Sequence, residues 1–365
     1  MSKELRTTGE VAFFAAGNSR HGFHSYYEEC FRDRVGHLLC IKGGPGTGKS
    51  TLMRAVAREG ERRGYTAEYY YCSSDADSLD AVLLFGKGNS IGLLDATAPH
   101  VFEGRLPGVQ EEIVDLGQFW DRTKLLHRQG DIARWNQAKA DGYRAAYRYL
   151  AGAGEVSDAL YDLTVAMIDR AKLDRTAERL LRGIEPQMNG QVRVGLCDSV
   201  GMRGRITLDT YLHLGERVCL IQDCYDTGFA LMRRLSNLAF ERGIEARVSY
   251  HPVLPDRIDA LFLVQSKTVF LVGDGKEIGM MAERTPRARR LDMRRLVHRD
   301  RFRTGRERIR QAARLREALL DSACDALQTV QEAHFELERV YAAAMDFEAK
   351  ERYTEALCRK LFGKE

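Results

Sequence analysis

A glycine-rich segment near the N-terminus constrains the fold of this 365-residue chain more than any other feature. Residues 43–51 read Gly-Gly-Pro-Gly-Thr-Gly-Lys-Ser-Thr and fit the pattern G-x-x-x-x-G-K-[ST]. The apolar run 37–41 before it has the length of a buried strand. After it, apolar residues recur at helical spacing, and Gly64 stands where a helix would end. Strand, glycine loop and helix are the context that this pattern requires.

The residue types in this segment suit the binding of a phosphate chain. Because Gly43, Gly46 and Gly48 lack Cβ atoms, successive backbone N–H groups can converge on phosphate oxygens. Lys49 would neutralise the β- and γ-phosphates, and the Ser50 hydroxyl would ligate Mg²⁺. The predicted nucleotide-binding residues are Gly43, Gly44, Pro45, Gly46, Thr47, Gly48, Lys49, Ser50 and Thr51.

The segment resembles the Walker A motif of P-loop NTPases. This resemblance implies that the chain binds ATP, with GTP not excluded, together with Mg²⁺, on a mainly parallel sheet of α/β class. The alternative from the residues alone is a glycine-rich turn that precedes a lysine by chance.

A second residue on the metal side should be an aspartate at the end of a buried strand. The run 91–95 ends in Asp95 and is the best candidate, although an ordinary strand-end aspartate in a turn would look the same. Ala96 follows, where motor and helicase members of the superfamily usually place a water-activating glutamate. Fast hydrolysis by that route is therefore not expected.

An acidic cluster follows the strand predicted over 66–72. Its Asp75-x-Asp77 pair resembles the Asp-x-Asp that some P-loop small-molecule kinases use to contact metal or the acceptor hydroxyl. The alternative is that Ser74 or Asp75 caps a short helix. His100 is expected in a surface turn, with an approach to a bound substrate as the alternative. The predicted catalytic residues are thus Lys49, Asp95, Asp75 and Asp77, and the predicted metal ligands are Ser50 and Asp95.

Matching residues recur along the chain at an offset near 179. The matches include Arg63-Gly64 with Arg242-Gly243 and Asp80-Ala81 with Asp259-Ala260. They predict a tandem duplication of P-loop units with mainly parallel sheets, each followed by a helical segment. The first predicted unit is residues 1–190, with an α/β core over about 8–108 and a helical segment over about 109–190. The second is residues 191–365, with an α/β core over about 191–283 and an Arg-rich helical segment over about 284–365.

The second copy of the glycine loop has lost the residues that bind phosphate. Asp223 and Asp226 stand for Gly43 and Gly46, Phe229 and Ala230 stand for Lys49 and Ser50, and Gly273 stands for Asp95. Two carboxylates would repel a polyphosphate, and the lysine charge and metal-binding hydroxyl are gone. We therefore expect one nucleotide site, in the N-terminal unit.

Composition and charge set the remaining expectations. The net charge is +4, no apolar run is long enough for a membrane helix, and none of the eight cysteines forms a Cys-x-x-Cys pair. A cytoplasmic protein with no membrane contact is expected. The segment 284–316 holds fourteen arginines against three acidic residues, so a nucleic-acid partner is an alternative. It is not favoured, because no regular aromatic pattern accompanies the arginines.

The whole arrangement resembles an uncharacterised family of bacterial P-loop proteins with two such units. The segments that carry this resemblance are 13–18, 22–23, 72–75 and 97–100. It implies the fold and nucleotide binding rather than a defined reaction. A slow ATPase or nucleotide-gated switch is favoured, with an unknown small-molecule or protein partner. The alternatives are an ATP-dependent small-molecule kinase and, less favoured, a nucleic-acid-handling ATPase.

Overall fold

The computed structural model describes residues 3–186 and 190–363. In its first half, strands and helices alternate before a long helix. The strands are β1 Glu4–Arg6, β2 Ala12–Phe14, β3 Ala16–Ser19, β4 Gly22–Ser25, β5 His37–Lys42, β6 Thr66–Tyr71, β7 Leu79–Phe85, β8 Ser90–Asp95 and β9 Glu111–Asp115. The helices are α1 Tyr27–Phe31, α2 Lys49–Arg62, α3 Arg122–His127, α4 Gln129–Val165 and α5 Arg170–Leu180, with a 3₁₀ helix at Leu116–Phe119.

The second half has a similar order of elements, with three strands instead of four before its first helix and an additional helix before its last strand. Its strands are β10 Val192–Val194, β11 Asp198–Gly201, β12 Gly204–Leu208, β13 Arg217–Gln222, β14 Ala246–Tyr250, β15 Ile258–Leu263, β16 Thr268–Gly273 and β17 Arg289–Asp292. Its helices are α6 Thr210–Leu214, α7 Gly228–Glu241, α8 Gly275–Arg284, α9 Arg299–Ala342 and α10 Phe347–Phe362, with a 3₁₀ helix at Met293–Leu296.

Two six-stranded sheets of α/β type form the framework. Their strand orders are β2-β6-β7-β8-β5-β9 and β10-β14-β15-β16-β13-β17. In each sheet three neighbouring pairs are parallel, while the third strand in the order, β7 or β15, runs antiparallel to both neighbours. The sheets are therefore mixed, and the expected parallel arrangement holds for part of each sheet.

The last strand of each sheet lies where the sequence predicted helix. β9 and β17 fall after the boundaries set at about 108 and 283, so the predicted helical segments begin too early. Both strands are short edge strands that pair only with β5 or β13. Ile113 in β9 is 70% exposed. Each strand has only four or five residues and one edge without a partner strand. For this reason neither shows the alternation of apolar and polar residues by which a strand is recognised in a sequence.

The long helices α4 and α9 pack against each other in antiparallel orientation. Gly142 of α4 approaches Val330 of α9, whereas Gly152, further along α4, approaches Leu319, earlier in α9. Their contact is a buried apolar cluster that includes Ala146, Leu150, Leu320, Ala323 and Leu327.

Each long helix carries the chain across to the core of the other half. There α5 packs on α7 of the second half, and α10 packs on α2 of the first. The Arg63 guanidinium in the first half donates a 2.9 Å hydrogen bond to the Phe362 carbonyl at the end of α10. The halves thus exchange their terminal helices, which brings the last part of the chain to the glycine loop. None of the helices within the described ranges combines the length and apolar character that crossing a membrane requires.

Candidate functional site

The glycine loop connects β5 to α2 at the carboxyl edge of the first sheet. Gly46 and Gly48 adopt left-handed backbone conformations, with φ of +69° and +78°, which residues with a Cβ adopt at a cost. The Thr47 hydroxyl closes the turn by donating a 2.9 Å hydrogen bond to the Gly44 carbonyl. α2 begins at Lys49, directly after this turn, and the first N–H groups of a helix have no partner within it, as an anion site requires.

Lys49 and Asp95, predicted from separate motifs, lie side by side. The Lys49 ammonium donates hydrogen bonds of 2.8 and 2.9 Å to the carbonyls of Gly43 and Gly44, and it lies 3.4 Å from an Asp95 carboxylate oxygen. Asp95 reaches this place because β8 pairs with β5 in the sheet. Its other oxygen accepts a 2.8 Å hydrogen bond from the Thr97 N–H.

The predicted metal ligand Ser50 lies between the loop and the start of β7. Its hydroxyl oxygen accepts a 3.1 Å hydrogen bond from the Leu79 N–H. Ser50 and Asp95 line one cavity with the loop. Hydroxyl and carboxylate oxygens are hard ligands of the kind that Mg²⁺ takes, and the loop N–H groups and Lys49 suit a polyphosphate. The residues present therefore fit a Mg²⁺-nucleotide.

The structure separates the two predicted acids of the Asp-x-Asp pair. Asp75 is buried and lines the cavity, where its carboxylate accepts a 2.8 Å hydrogen bond from the Ser78 hydroxyl. Asp77 is bound instead by the guanidinium groups of Arg6 and Arg203. Its hydrogen bond with Arg6 lowers the pKa of Asp77. Asp77 is not one of the residues that line the cavity.

A cavity of about 1120 Å³ opens in front of the loop. The sheet contributes one wall, through Cys72, Asp80 and His100 among others, and the long helices contribute the opposite wall. The helix residues of this wall are Asn136, Lys139, Ala140, Tyr143 and Tyr147 from α4 and His334, Phe335, Glu338, Arg339 and Ala342 from α9. Residues from both halves of the chain therefore enclose the loop.

Several ionisable residues of this cavity were not identified from the sequence, among them Asp80, Lys139 and Glu338. Burial raises the pKa of Asp80 to about 6 and lowers the pKa of Lys139. A hydrogen bond from His334 lowers the pKa of Glu338. The signal for Asp80 was present, because it ends the acidic cluster after β6. Lys139 and Glu338 come from distant helices, and nothing in their local sequence points to the loop.

His100 does not lie in the surface turn that was expected. It is 7% exposed, and its ring stacks on Tyr27 and meets the edge of Phe23. Its Nε2 atom lies 3.4 Å from an Asp80 carboxylate oxygen. The short segment 97–100 looked like a turn, but α1 and the β3–β4 hairpin supply aromatic rings that cover it.

The second loop, between β13 and α7, keeps the shape of the first. Asp226 has a φ of +68°, close to the +69° of its counterpart Gly46. The Thr227 hydroxyl donates to the Cys224 carbonyl at 2.9 Å, the same bond that Thr47 makes. Ile41 and Ile221 lie at the same distance before their loops. Ile41 pairs with Asp95 and Ile221 pairs with Val272, so the counterpart of Asp95 is Val272 and not Gly273, the counterpart predicted from the sequence.

Side chains of the protein fill the anion position of this second loop. The Asp223 carboxylate accepts hydrogen bonds of 2.7 and 2.6 Å from the N–H groups of Asp226 and Gly228. Asp226 in turn forms ion pairs with Arg257 at 2.9 Å and Arg316 at 2.5 Å. The Phe229 ring lies 5.1 Å from the Arg257 guanidinium. The remaining cavity is about 120 Å³.

A comparison with family models finds one similarity, to the N-terminal region of nephrocystin 3, over residues 23–84. This stretch contains β5, the glycine loop, α2 and most of β7, but it is a small part of the chain. No curated protein and no solved structure matches the chain.

Proposed function

We propose that the chain binds one Mg²⁺-nucleoside triphosphate at residues 43–51 and acts as a slow ATPase or nucleotide-gated switch. The observation that carries this proposal is the position of Lys49, which lies on the glycine loop, 3.4 Å from Asp95, in a cavity large enough for a nucleotide. In the bound state the ammonium exchanges the carbonyls of Gly43 and Gly44 for phosphate oxygens.

The helices that cover the loop support a switch. A Cβ at Gly46 would lie 2.5 Å from the Glu338 carbonyl oxygen in α9, and one at Gly48 would lie 3.4 Å from the Lys350 ammonium in α10. A movement of the loop toward α9 and α10 on nucleotide binding would therefore displace both helices. Ala96 follows Asp95 where a water-activating glutamate would stand, which agrees with slow hydrolysis.

We infer further that the two units arose by tandem duplication and that the second no longer binds nucleotide. The equal strand orders of the two sheets support the duplication. The Asp223 carboxylate occupies the N–H groups that a phosphate would need, which supports the loss of binding. One nucleotide per chain is the consequence.

Calorimetric titration of the full chain with Mg²⁺-ATP and Mg²⁺-GTP tests nucleotide binding. Lys49→Ala should lose binding, because it removes the ammonium from the loop. Lys87→Ala is the matched control, since Lys87 is an exposed lysine between β7 and β8, at the opposite edge of the sheet. Equal affinity in wild type and Lys49→Ala would contradict the proposal. Faster hydrogen exchange in α9 and α10 with ADP than with a non-hydrolysable ATP analogue would support the switch.

An ATP-dependent small-molecule kinase is the second candidate. Its support is the cavity of about 1120 Å³, which exceeds the roughly 300–1,000 Å³ usual for one small ligand. Asp75 lines it beyond the loop and would serve an acceptor hydroxyl. Turnover with a metabolite panel separates the candidates, because a kinase transfers phosphate to a product and a switch releases it.

A nucleic-acid-handling ATPase has weaker support. Arg303, Arg306 and Arg310 in α9 are exposed and make no described ion pair within residues 3–186 and 190–363. However, they lie at the end of α9 that is remote from the first loop, and Phe302, the aromatic residue among them, packs against Tyr225. Stacking on bases would require a free ring.

A further inference from the structure

Three side chains with metal-binding atoms converge on the sheet wall of the cavity. Cys72 follows β6, Asp80 lies near the start of β7, and His100 follows β8. These strands are neighbours, and β7 runs antiparallel to both, so the three positions share one edge of the sheet. One atom from each residue lies within 4.8 Å of the other two.

The spacing of these atoms suits a tetrahedral ion. The 3.4 Å between His100 Nε2 and an Asp80 oxygen is longer than the roughly 2.7–2.9 Å of a charged N–H to carboxylate hydrogen bond. Zinc bonds of about 2.0–2.1 Å at tetrahedral angles place such a nitrogen and oxygen about 3.3 Å apart. The cysteine thiolate, imidazole and carboxylate are zinc ligands, whereas Mg²⁺ prefers oxygen alone.

The charges around Asp80 favour a cation at this position. The side chain is 6% exposed, and a buried carboxylate is costly without a compensating charge. The Lys49 ammonium contacts Asp95 and two loop carbonyls. The buried Nδ1 atom of His100 has no hydrogen-bond partner among the described residues.

We propose that Cys72, Asp80 and His100 bind a zinc ion on the wall of the nucleotide cavity. Three protein ligands leave the fourth tetrahedral position open, as in catalytic zinc sites. All three residues line the cavity, so the open position takes water or an anionic oxygen of a ligand bound there. The site is separate from the proposed Mg²⁺ ligands Ser50 and Asp95, and it extends beyond the proposed nucleotide function.

Metal titration of the tag-free, chelator-treated full chain tests the proposal without nucleotide. Calorimetry with ZnCl₂ should give one ion per chain, and Co²⁺ should give a thiolate-to-cobalt charge-transfer band with the strong visible absorption of a four-coordinate ion. Cys72→Ser, Asp80→Asn and His100→Gln should each weaken zinc binding by about a hundredfold or more, since even outer partners of a metal contribute ten- to a hundredfold. Cys358→Ser is the control, because Cys358 is a half-buried cysteine in α10 outside the cavity.

Several results would overturn the proposal. These are no zinc bound at micromolar concentration, a Co²⁺ spectrum without the thiolate band, or unchanged zinc affinity in Cys72→Ser. Circular dichroism and thermal melts show whether each variant folds. If Cys72→Ser does not fold, the Co²⁺ spectra of the wild type, His100→Gln and Asp80→Asn decide, because a thiolate band that is lost or shifted in these variants places the cysteine ligand beside His100 and Asp80, and an unchanged band would overturn the proposal.

Discussion

Replacing Gly46 by alanine tests whether α9 rests on the glycine loop. An added Cβ would lie 2.5 Å from the Glu338 carbonyl oxygen and 3.0 Å from its Cα. Carbon and carbonyl oxygen normally approach to about 3.3 Å, so the last turns of α9 must withdraw by roughly 0.8 Å. The left-handed backbone at Gly46 adds a cost of about 1–2 kcal/mol for any residue with a Cβ.

Gly64→Ala provides the matched control for this substitution. Gly64 also has a positive φ, +85°, but nothing lies within 4 Å of the position that its Cβ would take. Its variant should therefore lose only the backbone contribution of about 1–2 kcal/mol. Overpacking costs a further 1–3 kcal/mol or so, so we expect Gly46→Ala to lower the free energy of unfolding by about 2–5 kcal/mol.

Urea denaturation of both variants measures this difference, and hydrogen exchange locates it. Gly46→Ala should speed amide exchange at the C-terminal end of α9, while Gly64→Ala should leave that helix protected. Equal losses of stability in the two variants, or unchanged exchange in α9, would refute the contact between helix and loop. The helices would then not sense the loop.

Three further predictions follow from the two loops. Asp95→Asn should lower turnover by roughly ten- to a hundredfold and shift its Mg²⁺ dependence, if Asp95 anchors the ion through water; titrating Mg²⁺ in a phosphate-release assay checks this. Phe229→Lys should not create a second nucleotide site, and the stoichiometry of a fluorescent ATP analogue should stay at one per chain. Burial beside Asp226 raises the pKa of Asp223 to about 6, so this group is protonated more readily in the folded than in the unfolded chain. Asp223 should therefore lower the free energy of unfolding by about 2–3 kcal/mol as the pH rises from 4 to 7. Urea denaturation should show that this free energy falls less over the same pH range in Asp223→Asn.

The sequence predicted those parts of the site that depend on local structure. The strand, glycine loop and α2 lie together in the sequence, and the side chain of Asp95 follows from the pairing of β8 with β5. Residues from the helices could not be predicted in this way. The sequences of α4 and α9 show which face of each helix is apolar, but an apolar face does not specify the element that it packs against. The sequence therefore gave no indication that Lys139 and Glu338 lie near Lys49.

The same limit explains the error at His100. A proline and a small residue precede it in a short segment between elements, which favours a surface turn. Its burial comes from Tyr27 and Phe23, whose positions depend on the packing of α1 and the β4 hairpin against the sheet. The interpretation of the second loop depended instead on local charge. The Asp223 carboxylate accepts hydrogen bonds from the N–H groups of that loop, whereas the Asp226 carboxylate pairs with Arg257 and Arg316.

The two loops share one electrostatic requirement, and the second loop meets it with a side chain of its own. Convergent N–H groups need a negative partner, which the second loop supplies from its own Asp223. The charge of neighbouring Asp226 is compensated in part by Arg316, which lies in α9. Twenty-two residues later, α9 touches the first loop at Glu338, about 33 Å away along a straight helix. Arg316 lies in the first half of α9, so this ion pair holds that part of the helix, whereas the last turns of α9 lie against the first loop. If the first loop binds nucleotide as proposed, the ion pair at the second loop is an anchor against which the last turns of α9 move.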